Sequence, residues 1–180
     1  MNAQLKSKNK SAGYELILGA GSSPEKRVNI NNNKDWIDPV RLDINESCNP
    51  DVIHDLNNIA LPFENETFDE IHAYEVLEHC GTQGDFVFFF SQFEEFHRIL
   101  KPGGHILATV PAWDSVWAWG DPGHTRVINE GTLLFLDQDI YKKEIGVTSL
   151  SDYRDSYAAD FKVKHTEYKN DTFIFVLEKK

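Results

Sequence analysis

The stretch that decides the fold is Tyr14-Glu15-Leu16-Ile17-Leu18-Gly19-Ala20-Gly21-Ser22-Ser23-Pro24. A short apolar run that ends in glycine and serine predicts a buried strand followed by a tight turn. Further strands are predicted at Val40 to Ile44, with Asp43 near its carboxyl end, at Asp51 to His54, followed by Asp55, and at Phe68 to Tyr74. Pro62-Phe63 and Asn65 to Thr67 mark the turn before the last of these. Residues 25–38 carry only a weak helical signal. The clearest helix spans about Asp85 to Leu100, because Phe86, Phe89, Phe90, Phe93 and Leu100 recur on one face of a 3.6-residue period. Asp85 is its expected N-cap, and Lys101-Pro102-Gly103-Gly104 its stop. His105 to Val110 reads as a fifth strand, and a helix is expected around Gly131 to Gln138. Phe161 to Glu167 and Thr172 to Glu178 alternate as a terminal hairpin around Tyr168 to Asp171. Strands alternating with crossovers predict an α/β fold: a mostly parallel sheet, a C-terminal antiparallel hairpin and helices on both faces.

The chain has 180 residues, enough for one domain, and its 41% hydrophobic content supports a buried core. Residues 1–13 read as a flexible tail, and 14–180 as the single domain. A net charge of −11 disfavours a polyanionic partner such as nucleic acid, since phosphate contacts need clustered cations. It suits a cationic or small neutral ligand. Cys48 and Cys80 are too few for a disulfide framework or a thiolate zinc site. No run of apolar residues is long enough to span a membrane, and the polar N-terminus is unlike a secretory signal. The expected location is therefore the cytoplasm.

In an open parallel sheet, ligands bind beyond the carboxyl ends of the strands, where the strand order reverses. Gly19-Ala20-Gly21 ends the first strand; glycine there lets backbone approach a ligand and leaves amides free to donate. Asp43, 22 positions after Gly21, is placed to accept two ribose hydroxyls, and Asp55 could accept from the amine of a base. Together they outline a nucleoside-shaped site. Singly, each has a plainer reading as a turn, a cap or a solvated carboxylate. Position 24 is Pro, so the dinucleotide pattern of three glycines is absent, as is a phosphate-binding Gly-Lys-Ser/Thr.

Leu16-Ile17-Leu18-Gly19-Ala20-Gly21 resembles motif I of the class I S-adenosylmethionine-dependent methyltransferases. Leu61-Pro62-Phe63 through Phe68-Asp69-Glu70-Ile71 and Glu75-Val76-Leu77-Glu78-His79 resembles their segment around the fourth strand. Arg98-Ile99-Leu100-Lys101-Pro102-Gly103-Gly104 resembles the turn before their fifth. A narrower resemblance is to small methyltransferase-domain proteins of phage and bacterial genomes, through Gln83-Gly84-Asp85, Asp121 to Arg126 and Thr148 to Tyr153. The resemblance implies a Rossmann-like fold. It implies S-adenosyl-L-methionine as cofactor and S-adenosyl-L-homocysteine as product. It places Gly19, Ala20 and Gly21 beneath the methionine part, Asp43 on the ribose, Ile44 against the adenine, Asp55 and Leu56 at the adenine edge, and Tyr74 and Glu75 beside the sulfonium. Ile17 and Ser23 stand where the family carries an acidic residue and a third glycine, and Glu15 lies two places earlier. Seven residues between Asp43 and Asp51 leave no room for a crossover helix, so a loop is expected.

Methyl transfer needs an aligned acceptor, a dry site and, for a protonated acceptor, a base. The candidates are His79, Glu75, Asp121, His124 and Arg126, with Gln83 and Trp113, Trp117 and Trp119 as substrate contacts from a lid at about 112–160. The aromatic cluster reads either as an acceptor site, including a cation–π cage for an amine, or as a packed lid with Asp121 and Arg126 paired. His79 could equally be a structural histidine. Cys80 beside it reads as a small buried thiol, and no metal site is expected. Phe88, off the main helical face, leaves room for self-association. The function expected is methyl transfer to a small-molecule acceptor. The alternatives are a non-catalytic cofactor binder, a protein methyltransferase, or aminopropyl transfer or cofactor cleavage on the same scaffold.

Overall fold

The computed structural model describes residues 14–22, 24–30, 32 and 34–180. The predicted tail, residues 1–13, and Ser23 lie outside the described residues. Seven strands form one sheet: β1 (Glu15–Leu18), β2 (Pro39–Asp43), β3 (Val52–Ile53), β4 (Phe68–Tyr74), β5 (Leu100–Pro111), β6 (Phe161–Lys169) and β7 (Thr172–Lys179). Their order is β3-β2-β1-β4-β5-β7-β6. The first five are parallel, while β7 runs antiparallel to both β5 and β6. The order reverses between β1 and β4, the point at which a crevice opens in such sheets.

One sheet face is apolar. Leu16, Leu18, Val40, Leu42, Ile71, Ala73, Ile106, Ala108, Val110, Phe173, Phe175 and Leu177 join one core with Phe90, Phe93, Phe96 and Ile99 of α1 (Phe86–Ile99). Asp85 caps α1, its carboxylate accepting from the Phe88 amide at 3.0 Å, and Gly103 takes the positive φ of 76° after the helix ends. The connection from β5 to β6 carries α2 (Val116–Gly120), α3 (Glu130–Leu133), a 3₁₀ turn (Leu134–Leu136) and α4 (Gln138–Glu144). The helix expected over Gly131 to Gln138 is thus broken. Asp137 accepts from the amides of Asp139 and Ile140, starting a new helix instead of continuing the old one. Phe135 and Tyr157 pack on Phe90, so this segment thickens the α1 layer.

The opposite face carries several charged and polar side chains, and the described residues of 24–38 pack against part of it with irregular backbone. Strand alternation puts Glu15, Glu70, His72 and Tyr74 on this side. Lys26 Nζ lies 2.5 Å from Glu15 Oε1 and 3.4 Å from Glu70 Oε2, with the Lys26 and Glu15 side chains both 3% exposed. The Ile37 amide donates to Glu15 Oε2 at 2.8 Å, and the Val28 amide to the Tyr74 hydroxyl at 3.1 Å. His72 bridges Glu70 and Tyr74, and Trp36 packs edge-on against it. Non-helical backbone can cover a sheet when its polar groups are paired in this way. Glu15 therefore anchors this segment. Between β2 and β3, the loop expected in place of a crossover helix contains one 3₁₀ turn, Glu46–Cys48. No helix among the described residues is long and apolar enough to cross a membrane.

Removing one partner of a buried ion pair leaves the other charge uncompensated, at a cost of about 3–5 kcal/mol. Lys26→Met should lose that amount in urea unfolding, and adding Glu15→Gln should restore part of it. A loss below about 1 kcal/mol, typical of exposed pairs, would contradict the assignment.

Candidate functional site

A cavity of about 400 Å³ opens at the carboxyl ends of β1 and β2, lined by Gly19, Leu42, Asp43, Ile44, His54, Asp55, Leu56, Asn57, Val76, His79 and Cys80. Gly19 is constrained twice: its φ is +59°, and a Cβ there would stand 2.5 Å from Val76 Cγ2. Gly21 also has positive φ, with open space where a side chain would project. Backbone can therefore be reached directly from the cavity. The Ala20 amide is tied to Leu42 O at 3.1 Å, which holds the turn beside β2.

Asp43 is the polar centre of the cavity wall. Its Oδ2 accepts from the Gly21 amide and its Oδ1 from the Asn45 amide, each at 2.8 Å. Each carboxylate oxygen can accept a second hydrogen bond. The two amides fix the carboxylate's orientation while leaving capacity for a ligand's hydroxyl pair. Ile44, next along, is 64% exposed and offers an apolar surface to a planar ring. Asp55 forms an Asx turn, accepting from the Asn57 amide at 2.9 Å, and brings Leu56 and Asn57 to the cavity edge. The acceptors and the apolar wall are the kinds of group that a ribose and a planar base would meet.

The far wall is built from two segments. β4 ends in a kink at Glu75 (φ +52°), whose amide donates to Thr109 O at 2.8 Å, and a 3₁₀ turn follows, Leu77–His79. The loop 121–127 then zips onto that turn. The Thr125 amide donates to Glu78 O at 2.9 Å, the Gln83 amide to Thr125 O at 2.9 Å, and the Val127 amide to Gln83 Oε1 at 2.8 Å. His79 Nδ1 meets Gly123 O at 3.0 Å, and His124 Nδ1 meets Trp117 O at 2.8 Å. The two imidazoles touch, with ring centroids 4.6 Å apart. Glu78 is buried beneath them. Burial pushes its carboxyl up to about 8, and the charges of Glu75 and Asp121 add to the effect against the pull of Arg126.

The expected site residues divide accordingly. Gly19, Asp43, Ile44, Asp55, Leu56 and His79 line one cavity, with Ala20 and Gly21 in the adjoining turn. His124 and Asp121 join His79 at its rim, Asp121 Oδ2 lying 3.9 Å from His124 Nε2. Tyr74 does not face the cavity, because strand alternation sends its side chain to the Val28 and His72 side. Arg126 is buried and does not pair with Asp121. It donates from Nε to Leu77 O at 2.8 Å and from Nη2 to Gln92 Oε1, and its guanidinium lies 5.5 Å from the Phe88 ring. Phe88 packs over Gly81 and beside Arg126 and is half-buried. Gln83 uses its side-chain oxygen on Val127. Trp113, Trp117 and Trp119 are 51%, 60% and 69% exposed, so they neither line the cavity nor pack as core.

Sequence reasoning missed Val76, His54 and Asn57 as cavity residues. Val76 was discoverable: with Tyr74 fixed by alternation, the kinked residues after it turn toward β1. Nothing local in the sequence around Glu78 signals its burial. Cys80 is a buried thiol, as read from the sequence, and its Sγ donates to Val76 O at 3.4 Å.

A family model described as a methyltransferase domain matches residues 27–108. No curated protein matches the sequence. Among solved structures, the chain is similar to a SAM dependent methyltransferase from Archaeoglobus fulgidus, at 14% identity and TM-score 0.57, covering 94% of this chain and 87% of that one. It is also similar to an S-adenosylmethionine dependent methyltransferase from Mesorhizobium loti, at 15% identity and TM-score 0.52, covering 93% and 91%. A third is the N-methyltransferase NodS from Bradyrhizobium japonicum, at 12% identity and TM-score 0.52, covering 93% and 86%. At these identities the likeness shows the fold: a Rossmann-like, mostly parallel sheet with antiparallel C-terminal strands.

The Gly19–Val76 approach is testable by a double-mutant cycle. Gly19→Ala should cost about 1–3 kcal/mol through its left-handed backbone and the clash. Gly19→Ala/Val76→Ala should lose less than the sum of the two single losses. Strict additivity in urea unfolding would show that the contact does not exist.

Proposed function

We propose that the chain is an S-adenosylmethionine-dependent methyltransferase acting on a small-molecule acceptor. The observation that carries this reading is the convergence on one cavity of the Gly19 turn, the latched Asp43 carboxylate, exposed Ile44 and the Asp55–Leu56 corner. The family match and the fold neighbours imply S-adenosylmethionine as cofactor and S-adenosylhomocysteine as product. The residues fit that group. Asp43 would take the ribose hydroxyls with the capacity its two backbone amides leave, Ile44 would lie against the adenine, and Asp55 and Leu56 would meet its edge. The backbone of Gly19 to Gly21 would pass beneath the methionine portion. The cofactor supplies a methyl group on a sulfonium, a leaving group that needs no protonation.

What the chain contributes is placement. His79 lines the cavity and contacts His124, which is held by the carbonyl of Trp117. This sequence of contacts joins the cofactor cavity to the exposed aromatic segment of α2, so the acceptor would enter between them. Glu75 stands at the kink between the two sides. A net charge of −11 and the carboxylates of Glu75 and Asp121 favour a neutral or cationic acceptor over a polyphosphate one.

Calorimetric titration with S-adenosylmethionine and S-adenosylhomocysteine tests the reading. Saturable binding by the wild type that weakens at least about tenfold in Asp43→Ala is expected, since a lost charged hydrogen bond is worth about 1.5–3 kcal/mol. No binding by folded wild type would overturn it. Binding without S-adenosylhomocysteine formation on any acceptor would favour a non-catalytic binder. Methylthioadenosine as product would favour aminopropyl transfer or cofactor cleavage.

A further inference from the structure

We propose that Glu78, His79 and His124 form a binding site for one divalent transition-metal ion of the zinc class, beside the cofactor cavity. One ligand atom from each of the three residues lies within 4.8 Å of the others. Donor atoms around a bound zinc, at about 2.0–2.1 Å from the metal, stand roughly 3.3 Å apart. A contraction of up to about 1.5 Å would therefore close the site on an ion.

The state of each ligand points the same way. The Glu78 side chain is 3% exposed, and neither of its carboxylate oxygens has a hydrogen-bond partner. A buried carboxylate without a partner is costly, and a cation relieves that cost. Arg126 is close enough to act on Glu78 by its charge, yet it makes no hydrogen bond to it: its Nε and Nη2 are engaged by Leu77 O and Gln92 Oε1, and its buried Nη1 has no partner. Both histidines meet backbone carbonyls through Nδ1. A carbonyl only accepts, so Nδ1 carries a proton, and Nε2 is the nitrogen through which each ring would bind a metal. This is the outer-shell arrangement that orients metal-bound imidazoles. His124 Nε2 lies 4.0 Å from Glu78 Oε1 and 3.9 Å from Asp121 Oδ2, so a second carboxylate stands at the rim.

The comparable group on the other side of the sheet makes the contrast. Glu15, Glu70 and His72 also cluster, but the Lys26 ammonium already sits among them at 2.5 and 3.4 Å from the two carboxylates. The Glu78 group has no such ammonium among the described residues.

Two imidazoles and a carboxylate suit zinc, cobalt or manganese better than calcium or magnesium, which prefer all-oxygen shells. Three protein ligands leave coordination positions open. Because His79 also lines the cavity, an open position would be available to an oxygen of the acceptor, such as a hydroxyl or carboxylate. That last statement rests on the methyltransferase reading; the metal site itself does not. Sequence spacing did not reveal the site because His124 follows Glu78 by 46 positions and meets it only through the 121–127 loop.

Untagged full-length protein, stripped with a chelator and dialysed, would be titrated with Zn²⁺ alone against a chromophoric chelator, without any cofactor. One equivalent should bind, and His124→Ala and Glu78→Gln should each weaken binding by at least about tenfold. His165→Ala, an exposed histidine on β6, should bind as wild type. Circular dichroism of each variant verifies folding, and Co²⁺ absorption of the wild type gives an independent reading of nitrogen coordination. No saturable binding, or unchanged binding by folded His124→Ala, would overturn the proposal. Zinc binding by a protein that ignores S-adenosylmethionine would leave the metal site standing while the methyltransferase reading fell. Cofactor binding with no metal uptake would do the reverse.

Discussion

The backbone at Gly19 has no room for a side chain, and the site depends on that. Val76, leaving the neighbouring strand, occupies the space a Cβ would need. The first strand must therefore end in glycine, and the chain turns away toward β2, with the Ala20 and Gly21 amides donating to Leu42 O and Asp43 Oδ2. Asp43 then secures the turn from the next strand by accepting the Gly21 amide. A packing constraint and one charge-assisted hydrogen bond together place a carboxylate, a bare turn and an apolar edge around one cavity.

The two faces of the sheet solve burial differently. One uses phenylalanines of α1 and the hairpin, a conventional apolar contact in which rings meet at favourable angles. The other uses an irregular segment pinned by Lys26, Glu15 and His72. The helical face was legible because its period is strong and its cap and stop are local. The irregular face was not, because its order comes from long-range pairs such as Glu15 with the Ile37 amide, which leave no periodic trace. The same difference explains Tyr74. The family resemblance implies the crevice for it, while strand alternation assigns it to the polar face with His72.

The half of the candidate site at the strand ends was readable for a related reason. Gly19, Asp43 and Asp55 end successive strands, and strand ends gather at one edge of a parallel sheet. The other half comes from a loop whose position is set by hydrogen bonds between residues 77–83 and 121–127, so sequence alone could list His79, Asp121, His124 and Arg126 but not sort them. Folding sends Arg126 into the interior as a brace and leaves the two histidines at the rim over Glu78. A loop that carries chemistry on a scaffold fixed elsewhere is a common division of labour.

The most direct test of the account is a crystal structure of the protein with S-adenosylhomocysteine bound. The account predicts the ribose on Asp43, the adenine against Ile44 and beside Asp55, and the sulfur end directed toward His79. Ligand density away from this cavity, or a ribose making no contact with Asp43, would contradict it.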